Sequence, residues 1–181
     1  MISLRSKIAS DLLGYFFLNP DAAHYVNELE RRLKVDKRNL VKKLKELEEA
    51  GLMKSTARGN LKLYSLNNKF PLFNEYKKII LKTVGIESKL RQAIGGVKGV
   101  KKAVIFGSYA KDKLGAHSDI DLLVIGGHSS IELQRHIGRI QRGTGREINV
   151  VNMDESEYKE RLRKKDPFLN GITKNKHINI L

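Results

Sequence analysis

The stretch VIFGSYAKDKLGAHSDIDLLVI, residues 104–125, decides the fold of the second half of this 181-residue chain. It contains two short apolar runs, residues 104–106 and 120–125, and each run is stopped by glycine. Apolar runs of this length that end at glycine are typical of buried strands. The stretch therefore predicts two strands joined by a polar, glycine-containing connection.

The residues that follow this stretch alternate between the helical and the strand period. Residues 131–140 have apolar residues at helical spacing, and residues 154–163 are also predicted to be helical. In residues 147–151 polar and apolar residues alternate, as in a strand. A final apolar segment covers residues 178–181. Short strands interleaved with helices predict an α+β domain with a small mixed sheet.

The connection between the two apolar runs carries the residues on which a reaction could depend. Gly107-Ser108 lets backbone N–H groups and a hydroxyl approach an anion closely, as phosphate-binding turns do. Asp119 and Asp121 lie two residues apart, so a strand would project both carboxylates from one face. Paired carboxylates suit Mg²⁺, which prefers oxygen ligands shared with substrate phosphates. The pattern fits metal-assisted nucleotidyl transfer.

This combination of Gly-Ser followed by Asp-x-Asp resembles the minimal nucleotidyltransferases of the DNA polymerase β superfamily, over residues 97–151. The resemblance implies a nucleoside triphosphate such as ATP as ligand or substrate, with Mg²⁺ as cofactor. It also implies that the metal and the chemistry belong to Asp119 and Asp121. The nucleotide-binding residues that it implies are Gly107, Ser108, Lys111 and Ser118. Lys111 stands where members of the family often have arginine, and His117 is expected to be a solvent-facing loop residue.

The family also implies a third carboxylate on a later strand, as metal ligand or general base. In this chain Asn149 occupies that place within REINVV, residues 146–151. Asparagine keeps an oxygen that could contact a metal, but it cannot accept a proton. Glu147 has the same strand parity and is the alternative catalytic carboxylate. This departure makes catalysis uncertain and leaves nucleotide and Mg²⁺ binding as the expectation.

The first 70 residues predict three helices followed by a β-hairpin. A first helix contains Leu12 and Phe16 and ends at Asn19-Pro20, because proline disfavours helix in the residue before it. A second helix is predicted over residues 22–33, with Asn19 or Asp21 near its cap. For the third helix Asp36 is a good N-cap and Gly51 a good terminator. The hairpin follows, with Gly59-Asn60 near its tip.

The segment KRNLVKKLKELEEAGLMKSTARGNLKLYSLN, residues 37–67, resembles winged helix-turn-helix transcriptional repressors. With the third helix's leucines inward, Arg38, Lys42 and Lys45 fall on the opposite face and Asn39 lies toward one side, as a helix in the major groove requires. Arg38 and Asn39 are candidates for base contacts, and the hairpin lysines and arginine for phosphates. A solvated helix face is the alternative, and Glu46, Glu48 and Glu49 favour it locally. The expected DNA-binding residues are Lys37, Arg38, Asn39, Lys42, Lys45, Lys54, Arg58 and Lys62.

The composition is consistent with a nucleic-acid partner. The formal net charge is +15 and the pI is about 10.0, which attracts polyanions. An acidic membrane surface, or charge that only maintains solubility, would explain the same numbers. The chain has no cysteine and its five histidines are scattered, which makes a zinc site unlikely. No apolar run is long enough to span a membrane, and an interrupted N-terminal run argues against a signal peptide, so a cytoplasmic location is expected.

We therefore predict a winged-helix DNA-binding domain over residues 1–70, connecting helices over 71–96 and a nucleotidyltransferase-like domain over 97–181. Residues 71–84 could equally form a dimerisation helix. The expected function is a DNA-binding transcriptional regulator, a homodimer by the habit of such repressors, whose second domain binds nucleotide and Mg²⁺. The alternative is an active transferase of a nucleotide monophosphate to a protein, RNA or small-molecule hydroxyl, including antitoxin-type members with a protein partner. A third interpretation makes both domains protein-interaction modules.

Overall fold

A computed structural model describes residues 6–115 and 118–181. Contacts divide the chain into two compact units, with the boundary between Ser88 and Lys89. This boundary lies inside the segment 71–96 that the sequence predicts as connecting helices. Among the described residues, no helix is long and apolar enough to cross a membrane.

Each unit combines helices with one sheet, and the predicted α+β class is confirmed. The described elements of the N-terminal unit are α1 (Lys7–Leu18), β1 (Ala23–Tyr25), α2 (Val26–Leu33), α3 (Lys37–Glu49), β2 (Met53–Arg58), β3 (Leu61–Leu66) and α4 (Phe73–Thr83). Helix α5 (Ile86–Gly95) begins just before the boundary. The C-terminal unit continues with β4 (Val100–Phe106), α6 (Gly107–Ala110), β5 (Ile120–Gly126), α7 (Ser130–Thr144), β6 (Ile148–Met153), α8 (Glu155–Arg163), α9 (Pro167–Lys174) and β7 (Ile178–Asn179).

The N-terminal unit has the predicted order of three helices and a hairpin, which we call the wing (β2 and β3). Helix α3 begins as predicted, because the Asp36 carboxylate accepts a hydrogen bond from the Asn39 N–H at 2.9 Å. It ends at Glu49 with Ala50 as the C-cap, and Gly51 follows with φ of 78°, a left-handed conformation that favours glycine. Leu40, Leu44 and Leu47 are buried on one face of α3.

The prediction of one helix over residues 22–33 is wrong at its beginning. Ala23–Tyr25 form strand β1, which pairs antiparallel with residues 63–65 of β3 and makes a three-stranded sheet of order β1-β3-β2. The N-cap of α2 is Tyr25, whose N–H donates to the Glu28 carboxylate at 2.8 Å. Neither Asn19 nor Asp21 caps this helix. Pairing with a strand far away in the sequence overrides the local helical pattern.

The C-terminal unit contains a four-stranded mixed sheet of order β6-β5-β4-β7. Strands β5 and β6 are parallel and are connected through α7, whereas β4 pairs antiparallel with both β5 and β7. Val104, Leu123 and Met153 form a buried cluster with Leu169 and Ile172 of α9 on one face of the sheet. The intervening strand residues are buried too, so both faces of the sheet are covered.

Candidate functional site

The end of β4 brings the Gly107 turn (residues 106–108) against Asp121. Because β4 and β5 are antiparallel, Phe106 lies opposite Asp121 in the register. Gly107 has φ of 73°, and a Cβ atom at this position would lie 2.1 Å from Oδ2 of Asp121. No side chain fits in that space without moving the carboxylate. Glycine therefore lets the backbone of the turn lie directly beside an acidic side chain.

The parallel pairing of β5 and β6 adds Asn149 to this arrangement, where it lies directly opposite Asp121. The Asn149 side-chain amide donates a hydrogen bond to Oδ2 of Asp119 at 3.2 Å. Asp119 immediately precedes β5, and both aspartates are half-buried. The two-residue spacing thus places both carboxylates beside the amide, and we call Asp119 and Asp121 the aspartate pair.

Burial raises the pKa of the Asp121 carboxyl above its usual value. A hydrogen bond from Asn149 opposes this increase in pKa, and repulsion from the Asp119 carboxylate adds to it. Two carboxylates that repel each other in a half-buried site favour a bound cation or a proton. The Asp121 carboxyl therefore loses its proton less readily than an exposed aspartate does.

The oxygen ligands that this site offers to Mg²⁺ come from the aspartate pair. In the part of the chain that the structure describes, no three His, Cys, Asp or Glu side chains come together to hold a metal ion. Glu147 therefore does not join the aspartate pair in such a group, although its carbonyl oxygen accepts from the Ile120 N–H at 3.0 Å. Mg²⁺ is commonly held by one or two carboxylates with substrate phosphates and water. The aspartate pair fits that mode of binding.

The other residues expected to bind nucleotide are close in sequence to the Gly107 turn but differ in their contacts. Ser108 is half-buried in α6, and its carbonyl accepts a hydrogen bond from the Lys113 N–H at 2.9 Å. Lys111 is exposed at the end of α6. The Ser118 hydroxyl instead accepts a hydrogen bond from the Gly115 N–H at 3.0 Å. His117 lies outside the described residues.

Sequence reasoning missed Arg146, which is only 5% exposed. Its guanidinium donates to the carbonyl oxygens of Gly115 and Ser118, at 2.9 and 3.0 Å. These bonds tie the chain just before Asp119 to the start of β6. The position of Arg146 after the helix-ending Gly145 contains no signal for this contact, which joins residues far apart in the sequence.

The residues expected to bind DNA all lie on the surface of the N-terminal unit. We call the five on α3 the basic face, and all five are exposed. The remaining three lie on the wing. The basic face consists of Lys37, Arg38, Asn39, Lys42 and Lys45, and the wing residues are Lys54, Arg58 and Lys62.

Two of the glutamates that could repel DNA have partners within the unit. Glu46 pairs with Lys43 of the same helix. Glu48 accepts a hydrogen bond from Ser55 of the wing and lies 3.7 Å from the ammonium of Lys62. Glu48 thus connects α3 to the wing and partly neutralises Lys62. The lysines in these two ion pairs, Lys43 and Lys62, lie outside the basic face.

Comparison with protein families assigns both halves of the chain. The model described as "Nucleotidyltransferase domain" matches residues 86–178, and one described as "Helix-turn-helix domain" matches residues 5–56. The protein thus combines a helix-turn-helix DNA-binding domain with a nucleotidyltransferase domain. Because the first match covers just over half of its length, the chain belongs to the nucleotidyltransferase domain family.

Comparisons with individual proteins are weaker. A crystal structure of a toxin-antitoxin with AMP-PNP is 16% identical, with 52% of this chain and 72% of that chain covered at a TM-score of 0.39. A mutant of Lactococcus lactis ZitR is 24% identical, with 50% of this chain and 62% of that chain covered at a TM-score of 0.36. A search of curated proteins gives no match. At TM-scores this low, the structural neighbours add nothing to the family assignment.

Proposed function

We propose that this protein is a DNA-binding transcriptional regulator whose nucleotidyltransferase domain binds a nucleotide together with Mg²⁺. The observation that supports DNA binding best is the row of cations on α3, opposite its buried leucines. A helix that packs by one face and presents donors on the other can enter the major groove. The wing next to it carries Lys54 and Arg58, which can contact phosphates.

Within this interface we assign different roles to different positions. Arg38 and Asn39 lie in the first turn of α3, where side chains of a recognition helix reach base edges, arginine to guanine and asparagine to adenine. Lys42 and Lys45 lie further along the helix and would contact phosphates. Since operators for such regulators are two-fold symmetric, a homodimer is part of this proposal.

The nucleotide part of the proposal rests on the contact between the Gly107 turn and Asp121. Asp119 and Asp121 would hold Mg²⁺, which would neutralise the phosphates of a nucleoside triphosphate and polarise the phosphorus. The N–H groups of the turn and the Lys111 ammonium would contact the phosphate oxygens. Asn149 cannot accept a proton from an attacking hydroxyl. We therefore propose that transfer is weak and that binding is the main role of the site.

The test of DNA binding is a comparison of two triple variants that remove the same charge. The Arg38→Ala, Lys42→Ala, Lys45→Ala variant should bind duplex DNA more weakly. Its log–log salt dependence should be shallower by about 0.9 for each phosphate that the protein no longer neutralises. The control carries Lys69→Ala, Lys78→Ala and Lys82→Ala, three lysines outside the interface. Fluorescence anisotropy measures both. Equal affinities for the two variants would show that net charge, and not the basic face, attracts DNA.

An active nucleotidyltransferase is the second candidate, and membership of the nucleotidyltransferase domain family favours it. In that case radiolabelled ATP with Mg²⁺ should label an acceptor protein, RNA or small molecule, and Asp119→Ala with Asp121→Ala should abolish the labelling. Labelling that survives both changes would exclude the aspartate pair as the reacting site.

A further inference from the structure

A cavity of about 290 Å³ opens beside the Gly107 turn, within the C-terminal unit. Phe106 and Gly107 line one side of it, and Phe168, Gly171 and Ile172 of α9 line the other. Phe106 is the residue opposite Asp121 in the sheet. The cavity is therefore adjacent to the proposed phosphate and Mg²⁺ site, and a ligand bound there could extend into it.

Two aromatic rings line this cavity, and further contacts hold one of them in place. The rings of Phe106 and Phe168 meet edge to face, with centroids 5.5 Å apart. The Arg161 guanidinium lies 5.9 Å from the centre of the Phe168 ring and forms an ion pair with Asp166 at 3.1 Å. Asp166 in turn caps α9 by accepting from the Leu169 N–H. Aromatic faces that line an open cavity are suited to stacking with a flat ring.

Gly171 keeps the cavity open. It lies inside α9, an eight-residue helix, and no atom comes within 4 Å of the position its Cβ would take. Glycine in a helix interior costs about 1 kcal/mol relative to alanine. Because Gly171 has no side chain, the cavity wall has space at this position that a larger residue would fill.

The polar groups of the cavity match the remaining parts of a nucleotide. Lys111 and Lys176 line it, which places cations beside the proposed phosphate site. Lys176 also pairs with Asp112 across the chain. The Asn175 amide donates its N–H to the Gly171 carbonyl at 2.7 Å, so its side-chain oxygen can serve as an acceptor at the cavity wall.

We propose that this cavity binds the base of the nucleotide whose phosphates occupy the Gly107 turn. The volume is sufficient for a base but not for a large substrate, and the stacking faces and the acceptor of Asn175 favour a base with an exocyclic amino group. The inference rests on the proposed nucleotide binding, and it assigns Phe106, Phe168 and Gly171 as residues that recognise the base.

The experiment compares two probes, Mg-ATP and inorganic tripolyphosphate with Mg²⁺, by calorimetry on the full chain. Phe168→Ala should weaken ATP binding about 5- to 150-fold, the range of one base stacked on one aromatic ring. Gly171→Leu should weaken ATP binding by filling the cavity. Neither change should alter binding of tripolyphosphate. CTP should bind more tightly than UTP, and Asn175→Ala should reduce that difference.

The control is Gly143→Leu, because Gly143 is a helical glycine of α7 that also has open space around it. It should leave both probes unaffected. If wild-type protein binds the two probes and Gly171→Leu leaves ATP affinity unchanged, the base cavity is wrong and the proposed function survives. If Gly171→Leu or Phe168→Ala weakened the binding of both probes equally, the base cavity would also be wrong. The substitution would then act on the binding of the phosphates and not on that of the base. Wild-type protein that binds neither probe would overturn the inference and the nucleotide part of the proposed function together.

Discussion

The basic face of α3 and the site around the aspartate pair are built in opposite ways. The basic face consists of surface side chains on one helix, and none of the five contributes to the buried core. The aspartate pair depends on three strand ends and on Gly107, where a left-handed φ and the nearby Asp121 carboxylate both favour glycine. Residues of the basic face can therefore be replaced without affecting the fold. Replacing residues at the aspartate pair should change stability and function together.

Among the variants that test this comparison, Gly107→Ala should lose the most folding stability. The left-handed φ costs about 1–2 kcal/mol for a residue with a Cβ, and the collision with Asp121 adds to this cost. A loss of about 1 kcal/mol lowers the melting temperature by about 4–8 °C in a domain of this size. Calorimetric melting of Gly107→Ala should show at least this decrease. Gly127→Ala, where the Cβ meets no atom within 4 Å, should melt close to the wild type.

The basic face should behave differently in the same melting experiment. Replacing Arg38, Lys42 and Lys45 by alanine should shift the melting temperature little, because surface substitutions away from such constraints change stability by about 0.5 kcal/mol or less. A large decrease would mean that these side chains stabilise the unit and would remove the contrast between the two sites.

Asn149→Asp should change the stability of the protein by an intermediate amount, and the change should depend on Mg²⁺. It replaces the hydrogen bond from Asn149 to Asp119 by a third carboxylate, so the protein should be less stable in EDTA and should gain more stability from Mg²⁺ than the wild type. We also expect faster nucleotide transfer, since aspartate can accept a proton.

The matched control for Asn149→Asp is Asn152→Asp. Asn152 lies on the same strand but three residues away, so it faces the other way, where it contacts His128 at 2.9 Å. It adds the same charge and should not increase the response to Mg²⁺. If the two variants respond alike, Asn149 does not occupy a metal-ligand position.

Asp121→Asn should have a smaller effect on stability than Gly107→Ala, and this effect should depend on pH. The pKa of Asp121 is raised above its ordinary value of 3.8, so the folded state binds the proton more tightly than the unfolded state. Its contribution to stability is therefore most favourable in acid and declines as pH rises from 3.8 through the raised pKa. Without Mg²⁺, the variant should be more stable than wild type near neutral pH, and the difference should shrink as the solution becomes acidic. A difference that is constant with pH would contradict the proposed burial of charge.

The features that could be predicted from sequence are those fixed by local rules. Asp36 and Gly51 mark the two ends of α3, and the wing turns at Gly59-Asn60 as predicted. The short strand β1 could not be found, because its only support is pairing with β3. Helix α9 was missed although Asp166-Pro167 is a recognisable start, a capping aspartate followed by proline.

The same distinction holds for the two candidate sites. The basic face follows from helical periodicity alone, so its outward residues could be named from the sequence. The spacing of Asp119 and Asp121 predicted a shared face, but the contact of Asn149 with Asp119 requires the register of β5 and β6. Arg146 and the cavity beside α9 require the packed structure, because they join residues far apart in the chain.

The most direct test of the central claim is a calorimetric titration of Mg-ATP into the wild-type protein and into the Asp119→Ala, Asp121→Ala variant, each with and without duplex DNA. We predict saturable binding to the wild type that disappears in the variant and in EDTA, while the variant still binds DNA. Wild-type protein that binds no Mg-ATP, or a variant that binds it as tightly, would contradict the account.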